Sequence, residues 1–314
     1  MGNLVYNAII GLVVGDALGV PYEFKKRGTF EANKMTGYGS HNQPVGTWSD
    51  DSSMTLATMD SMISYECIDL EDIMRNFRRW LYEDEFTATG KNFDTGRTVH
   101  KAILNYLSGV PALECGGKDI MDNGNGALMR ILPIALSGKT NTPRNIVNVA
   151  NLTHAHEISD YCCLIYSEMV ADLICGADKE TALADAMAVY QNEIEEISSL
   201  NEMCHRLLNI QNLRQEEIRS TGYVVDTLEA ALWSFITTNS YRECVLKAVN
   251  LGGDTDTIAA IAGGLAGLYY GTDTPNGIPS EWIEQIACKE WIKELCDEFY
   301  GKFVRGLKCQ IYLT

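Results

Sequence analysis

Two short acidic segments carry the residue types that could do chemistry. One is Ser49-Asp50-Asp51-Ser52-Ser53, following Gly46-Thr47-Trp48; the other is Asp254-Thr255-Asp256-Thr257, following Gly252-Gly253. Each places two carboxylates and a hydroxyl in the opening turn of a predicted helix, where unpaired N–H groups and the macrodipole favour anions. One side-chain oxygen is enough to cap a helix, so either segment alone reads as an ordinary helix start. Together they crowd four carboxylates, and neighbouring like charges cost energy unless something neutralises them. A hard divalent cation such as Mg²⁺, Mn²⁺ or Ca²⁺ would do so through carboxylate and hydroxyl oxygens. Neither cluster contains His or Cys, which argues against zinc. Two clusters that met across a fold could hold two ions; their spacing in the chain does not establish that they meet.

Other segments offer weaker signals. Asp16 interrupts the apolar run around Ile9, Ile10, Leu12, Val13, Val14 and Leu18, and reads as a buried, hydrogen-bonded structural acid in preference to a ligand-shell residue. Glu23 follows Pro21 on a segment free to face a cleft. Asp122-Asn123-Gly124-Asn125-Gly126-Ala127-Leu128-Met129-Arg130 looks like a Gly-rich loop opening a helix, with amides able to approach a phosphate. It is neither a Walker loop nor a dinucleotide fingerprint. His154 and His156 sit two apart, which on a helix would send them to different faces, so a shared metal is not expected.

The elements positioning these residues read as helices. Hydrophobic residues recur at helical spacing over Glu157–Ile174 and Asp226–Ile236, around Trp282, Ile283 and Ile286, and at Trp291, Ile292, Leu295 and Phe299. No alternating segment with turn chemistry calls for a sheet. Gly263, Gly264 and Gly267, among Ala259, Ala260, Ala262 and Ala266, imply close backbone approach, which makes the helix after the second acidic cluster central. With no repeat, low-complexity tract or Gly/Ser linker, residues 1–314 read as one all-α domain; the competing division is two domains split near residue 140. The loops at 33–49 and 87–94, rich in Gly, Thr, Asn and aromatic residues, are connections on which function is expected to sit, with specificity expected from 33–47 and 87–93.

Composition narrows the function classes. The net charge of −17 repels a polyanion, so neither nucleic acid nor an anionic membrane is an expected partner. The charge-free stretch Thr257–Thr272 is too short and Gly-rich for a bilayer crossing, and no basic residue precedes the apolar Ala8–Val14 run as in a secretory signal. Ten scattered Cys, including Cys309, form no C-x-x-C pair and suit reduced thiols, hence a cytoplasmic protein.

Taken in order, several motifs resemble the signature of the ADP-ribosylglycohydrolases, the family that includes dinitrogenase-reductase-activating glycohydrolases and eukaryotic ADP-ribosylhydrolases. They are Gly15-Asp16-Ala17-Leu18-Gly19 with Glu23, Thr47-Trp48-Ser49-Asp50-Asp51, Phe93-Asp94-Thr95-Gly96, Asn125-Gly126-Ala127-Leu128-Met129-Arg130, Thr153-His154, Gly222-Tyr223-Val224 and Gly252-Gly253-Asp254-Thr255-Asp256-Thr257. The resemblance runs from about Ile9 to Ile286. It implies a single-domain orthogonal helical bundle with two divalent cations, Mg²⁺ or Mn²⁺, at the bottom of a cleft. Metal ligation carries over to Ser49, Asp50, Asp51, Asp254, Asp256 and Thr257, with Ser49 standing where many relatives have Thr. Glu23 and Asp94 carry over as catalytic acids, and Asn123, Gly124, Asn125, Gly126, His154 and Tyr223 as contacts to ADP-ribose, although the match at Met121–Asn123 is loose.

The residues and the resemblance converge on one expected reaction. Cations orient the ribose, water attacks its anomeric carbon, and the modified side chain leaves through an oxocarbenium-like transition state. Which of Glu23 and Asp94 activates water is left open. The substrate is expected to be an ADP-ribosylated protein or ADP-ribosyl small molecule, with arginine N-glycosides favoured over serine-linked or free metabolites, and the protein is expected to be a monomer. The rivals are a catalytically silent, crystallin-like structural relative, which need not keep all the acids, and a metal-dependent phosphoesterase, which would release AMP.

Overall fold

A computed structural model describes residues 3–306; Cys309 lies outside the described residues. The helices are α1 (Leu4–Gly19), α2 (Asp50–Tyr65), α3 (Leu70–Glu83), α4 (Arg97–Leu107), α5 (Leu132–Leu136), α6 (Pro143–Ala150), α7 (Glu157–Ile174) and α8 (Lys179–Val189). They continue with α9 (Gln191–Glu195), α10 (Ser198–Leu207), α11 (Val224–Ile236), α12 (Tyr241–Val249), α13 (Thr255–Tyr270), α14 (Ser280–Ile283) and α15 (Lys289–Phe303). Among the described residues there is no strand, only isolated bridges such as Gly124 with Tyr223. The fold is all-α, and one continuous hydrophobic core runs from Val5 to Val304.

At its centre α1 and α13 lie antiparallel along their whole lengths, and glycine makes this possible. A Cβ at Gly11 would stand 2.4 Å from the Gly263 carbonyl oxygen, one at Gly15 2.1 Å from that of Ala259, and one at Gly19 2.3 Å from the Cα of Asp256. No side chain fits, so the backbones touch, and the Thr255 hydroxyl closes the end by donating to the Gly19 carbonyl at 2.8 Å. By length and composition Leu4–Tyr22 would suffice to cross a membrane; here it is a core segment, 83% buried in its most apolar window.

Asp16, near the C-terminal end of α1, fixes the first acidic helix, α2. Its carboxylate accepts from the Ser49 N–H (3.0 Å), the Ser52 N–H (3.1 Å) and the Ser52 hydroxyl (2.6 Å). These are first-turn donors of α2 that would otherwise lack partners. One helix, α1, therefore holds the N-termini of both α2 and α13. Among the described residues, Cys67, Cys115, Cys162, Cys163, Cys204, Cys244, Cys288 and Cys296 are free thiols.

Candidate metal-binding cleft

The two acidic clusters meet. The Thr257 hydroxyl donates to Asp51 Oδ2 at 3.3 Å across 206 residues of chain, and Ser49 Oγ donates to the same carboxylate oxygen at 3.0 Å. One ligand atom each from Asp16, Asp51 and Asp256 lies within 4.8 Å of the others, and a second such group comprises Glu23, His41, Asp94 and Asp256. Asp51 and Asp256 form the buried floor; Glu23, Asp50, Asp94, Asp254 and Thr257 line a cleft of about 280 Å³ above it.

The local sequence explains how each acid arrives. Gly252 and Gly253 have φ of +71° and +75°, and a Cβ on Gly253 would stand 2.1 Å from the Ser220 carbonyl oxygen. This left-handed turn lets Gly253 donate to the Lys25 carbonyl (2.9 Å) and accept from the Phe24 N–H (2.7 Å), tying the Glu23 segment to the start of α13. Asn125 Nδ2 donates to Asp254 Oδ2 at 2.8 Å and orients it. Asp94 Oδ1 accepts from the Thr95 N–H at 2.9 Å, just ahead of α4.

The charges of this site are unbalanced. Among the described residues, no Lys or Arg forms an ion pair with Asp16, Asp50, Asp51, Asp94, Asp254 or Asp256; the one cation-capable partner is His41, bonded to Glu23. Burial comes first among the causes that raise the acids. It pushes Asp16 up to about 6 and Glu23 to about 7, and, with the neighbouring carboxylates, lifts Asp50, Asp51 and Asp256 well above the usual range. Asp254 is raised as well, against the hydrogen bond from Asn125. Asp51 Oδ1 is buried with no hydrogen-bond partner. Buried carboxylates with an orphaned oxygen, hydroxyls alongside and ligand atoms within reach of a common centre suit a hard divalent cation, whose oxygen ligands stand about 2.0–2.6 Å from it.

Opposite the acids, Gly124, Gly126 and His154 line the same cleft. The Gly-rich loop ends in a single 3-10 turn, Leu128–Arg130, not in an α-helix, so it offers individual amides and little macrodipole. His154 and His156 do not share a helix either: His154 lies in the turn after α6, while His156 caps α7, its Nδ1 accepting from the Ile158 N–H at 3.2 Å. Two residues expected to touch a ligand stand back from the cleft. Asn123 is turned inward, donating to the Ile120 carbonyl at 3.1 Å, while its own carbonyl accepts from Val224. Tyr223 lends its backbone to the bridge with Gly124, and its side chain lines a separate depression beside Arg206, Arg219 and Glu229. His41 was not singled out from sequence: a lone histidine in a long loop carries no spacing signal, and only the fold brings it to Glu23, between Phe24 and Phe93.

An all-helical chain with two acidic helix starts facing each other over a cleft is the architecture of an ADP-ribosylglycohydrolase. The family model of that name matches residues 3–307, and the chain belongs to this family. It is 33% identical over 301 residues to ADP-ribosylarginine hydrolase Tri1 of Pseudomonas putida (strain GB-1), covering 94% of this chain and 77% of that protein. It is 32% identical to ADP-ribosyl-[dinitrogen reductase] glycohydrolase of Rhodospirillum rubrum, covering 90% of each. Among solved structures it is similar to an ADP-ribosylglycohydrolase-related protein complex, with a TM-score of 0.81 and 29% identity over 96% of this chain and 98% of that one. The chain is thus an enzyme of the ADP-ribosyl hydrolase class.

Proposed function

We propose that the protein is a divalent-cation-dependent hydrolase, a single domain over its whole length, that releases ADP-ribose from modified arginine side chains. The observation that carries this reading is that Asp51 and Asp256 come together beneath a cleft lined by Asp50 and Asp254, with no Lys or Arg among the described residues in an ion pair with any of the four and with one buried carboxylate oxygen, Asp51 Oδ1, left without a partner. Ser49, Asp50 and Asp51 from the α2 side and Asp254, Asp256 and Thr257 from the α13 side would hold two ions, Mg²⁺ or Mn²⁺. When bound, the ions supply the positive charge these acids lack and orient the ribose hydroxyls.

The remaining steps belong to the chain. Glu23, lifted towards neutrality by burial, is suited to exchange a proton at pH 7, and we assign it the proton of the attacking water; Asp94 faces the same space. Water oxygen bonds to the anomeric carbon, the C–N bond to the guanidine breaks, and the proton passes to the departing nitrogen, giving ADP-ribose and arginine. Gly124, Gly126 and His154 would receive the diphosphate, with Asn125 holding Asp254 in place.

The arginine linkage is favoured by the two relatives named as ADP-ribosylarginine hydrolases, at 33% and 30% identity, against 24% for ADP-ribosylhydrolase ARH3 of Mus musculus. The net charge of −17 and the free thiols support a cytoplasmic monomer without nucleic-acid or membrane partners. Incubation with arginine-linked and serine-linked ADP-ribosylated peptides, with EDTA or with Mg²⁺ or Mn²⁺, tests the proposal. Metal-dependent release of intact ADP-ribose from the arginine peptide is expected. Release of AMP, or turnover unaffected by EDTA, would overturn it.

A further inference from the structure

Behind the cleft lie two buried polar residues that the hydrolysis scheme does not use, Arg130 and Thr153, in a chain that ends at His154. Arg130 is completely buried, its guanidinium 4.8 Å from the Phe77 ring centroid. It donates to the Val149 carbonyl (3.1 Å), the Ala150 carbonyl (3.4 Å) and the Thr153 hydroxyl (2.7 Å). Thr153 Oγ1 lies 2.8 Å from His154 Nδ1. At the far edge of the imidazole, Nε2 has no hydrogen-bond partner among the described residues and looks onto Gly124 and Gly126, where an added Cβ would stand 3.4 Å from it. The N–H groups of these two glycines likewise have no hydrogen-bond acceptor among the described residues.

The direction of each hydrogen bond follows from chemistry. Arginine can only donate, so Thr153 Oγ1 accepts from it and has one proton to place. The acceptor within reach is Nδ1, which therefore carries no proton; a proton there would leave the buried threonine hydroxyl hydrogen unpaired. A neutral ring then bears its hydrogen on Nε2.

We propose that Arg130 and Thr153 are positioning residues that lock His154 as the Nε2–H tautomer, so that its ring and the Gly124 and Gly126 amides present three donors to the diphosphate of the ligand. Burial and the adjacent Arg130 charge push His154 down to about 3, which keeps the ring neutral and the tautomer fixed throughout the physiological range. Gly126 is required for space: a Cβ there would come 2.8 Å from His154 Cε1.

The inference rests on the ADP-ribose reading above but has its own readout. Long-range ¹H–¹⁵N spectra of the ¹⁵N-histidine-labelled protein should show His154 as neutral Nε2–H from pH 5.5 to 8. ADP-ribose affinity, measured by calorimetry, should fall about tenfold in Thr153→Val and return in Thr153→Ser. The Mg²⁺-induced thermal shift should stay unchanged in both, certifying a folded protein with an intact acidic cluster. In turnover, Thr153→Val should raise KM and leave kcat within about twofold. An Nδ1–H tautomer, a ring that gains charge above pH 5.5, or wild-type ADP-ribose affinity in a folded Thr153→Val protein would each overturn the inference. Wild-type protein that carries the Nε2–H tautomer yet fails to bind ADP-ribose would overturn the parent reading and with it the assigned ligand.

Discussion

Replacing Asp256 by Asn removes the one carboxylate shared by both acidic groups and leaves its shape in place, including an oxygen able to accept from the Thr257 N–H as Asp256 Oδ1 does at 3.0 Å. The stability effect has a sign that separates a metal site from a structural ion-pair network. Without cations, Asp256 is a buried acid held well above its ordinary range by burial, then by Glu23, Asp51 and Asp254. Its ionisation at pH 7.5 therefore opposes folding. The Asn variant is expected to melt higher than wild type in EDTA. With cations the order reverses. One ion at 100 times its dissociation constant stabilises the fold by about 2.7 kcal/mol. An unfolding entropy of about 2.1 cal/mol/K per residue gives roughly 0.66 kcal/mol/K over 314 residues, hence a rise of about 4 °C in Tm. A hundredfold loss of affinity in the variant leaves about 0.4 kcal/mol and a shift under about 1 °C at the same concentration. Differential scanning fluorimetry in EDTA, Mg²⁺ and Mn²⁺, paired with ADP-ribose release, reads both signs. A variant that melts lower in EDTA, or that keeps the full cation shift and turnover, refutes the reasoning.

The metal-free protein should lose stability as pH rises from about 5 to 8. Glu23 and Asp16 have folded-state pKa values raised to about 7 and about 6, so their contribution is complete below the unfolded values near 4 and disappears through the folded ones; saturating Mg²⁺ should flatten this slope in pH-resolved melting curves. Gly15→Ala drives a methyl to 2.1 Å from the Ala259 carbonyl oxygen and should cost about 3 kcal/mol, or roughly 5 °C, by forcing α1 off α13; urea denaturation within 0.5 kcal/mol of wild type would contradict the close-contact account. Asn125→Ala frees Asp254 Oδ2 from its 2.8 Å donor and should weaken cation affinity about 10–100-fold, measured by calorimetry, with little loss of helix content. Glu23→Gln should lower kcat by about 10²–10⁴ while ADP-ribose still binds; retention of kcat would pass the proton-transfer role to Asp94.

The chemistry-bearing turns were legible in the sequence because they are local. Ser49 to Asp51 and Asp254 to Thr257 announce themselves as helix starts with more charge than a cap needs, and the structure begins α2 at Asp50 and α13 at Thr255. The apolar spacing from Glu157 to Ile174 is α7 residue for residue, and the Gly/Ala run after Thr257 is the contact face of the central helix. What escaped depends on which distant surfaces meet. Asp16 reads in the sequence as a buried, hydrogen-bonded acid, and it is one; only the docking of α2 shows that its hydrogen bonds seat the acidic turn from Ser49 to Ser52. His41 acquires its place from a long irregular connection whose path is set by backbone bonds at both ends, Ser40 to Pro21 and Ala287 to Gly46. Tyr223 and Asn123 lie in the right motifs but point elsewhere, because a motif fixes the backbone and the neighbouring helices fix the side chain. The same division runs through His154. Its proximity to the Gly-rich loop follows from tertiary pairing with Gly117, yet its proton is assigned by two neighbours in the chain's interior, Thr153 and Arg130. Arg130 ends a motif that reads as a phosphate loop, and the fold turns it away from the cleft, joining it to the cleft-lining His154 through the Thr153 hydroxyl.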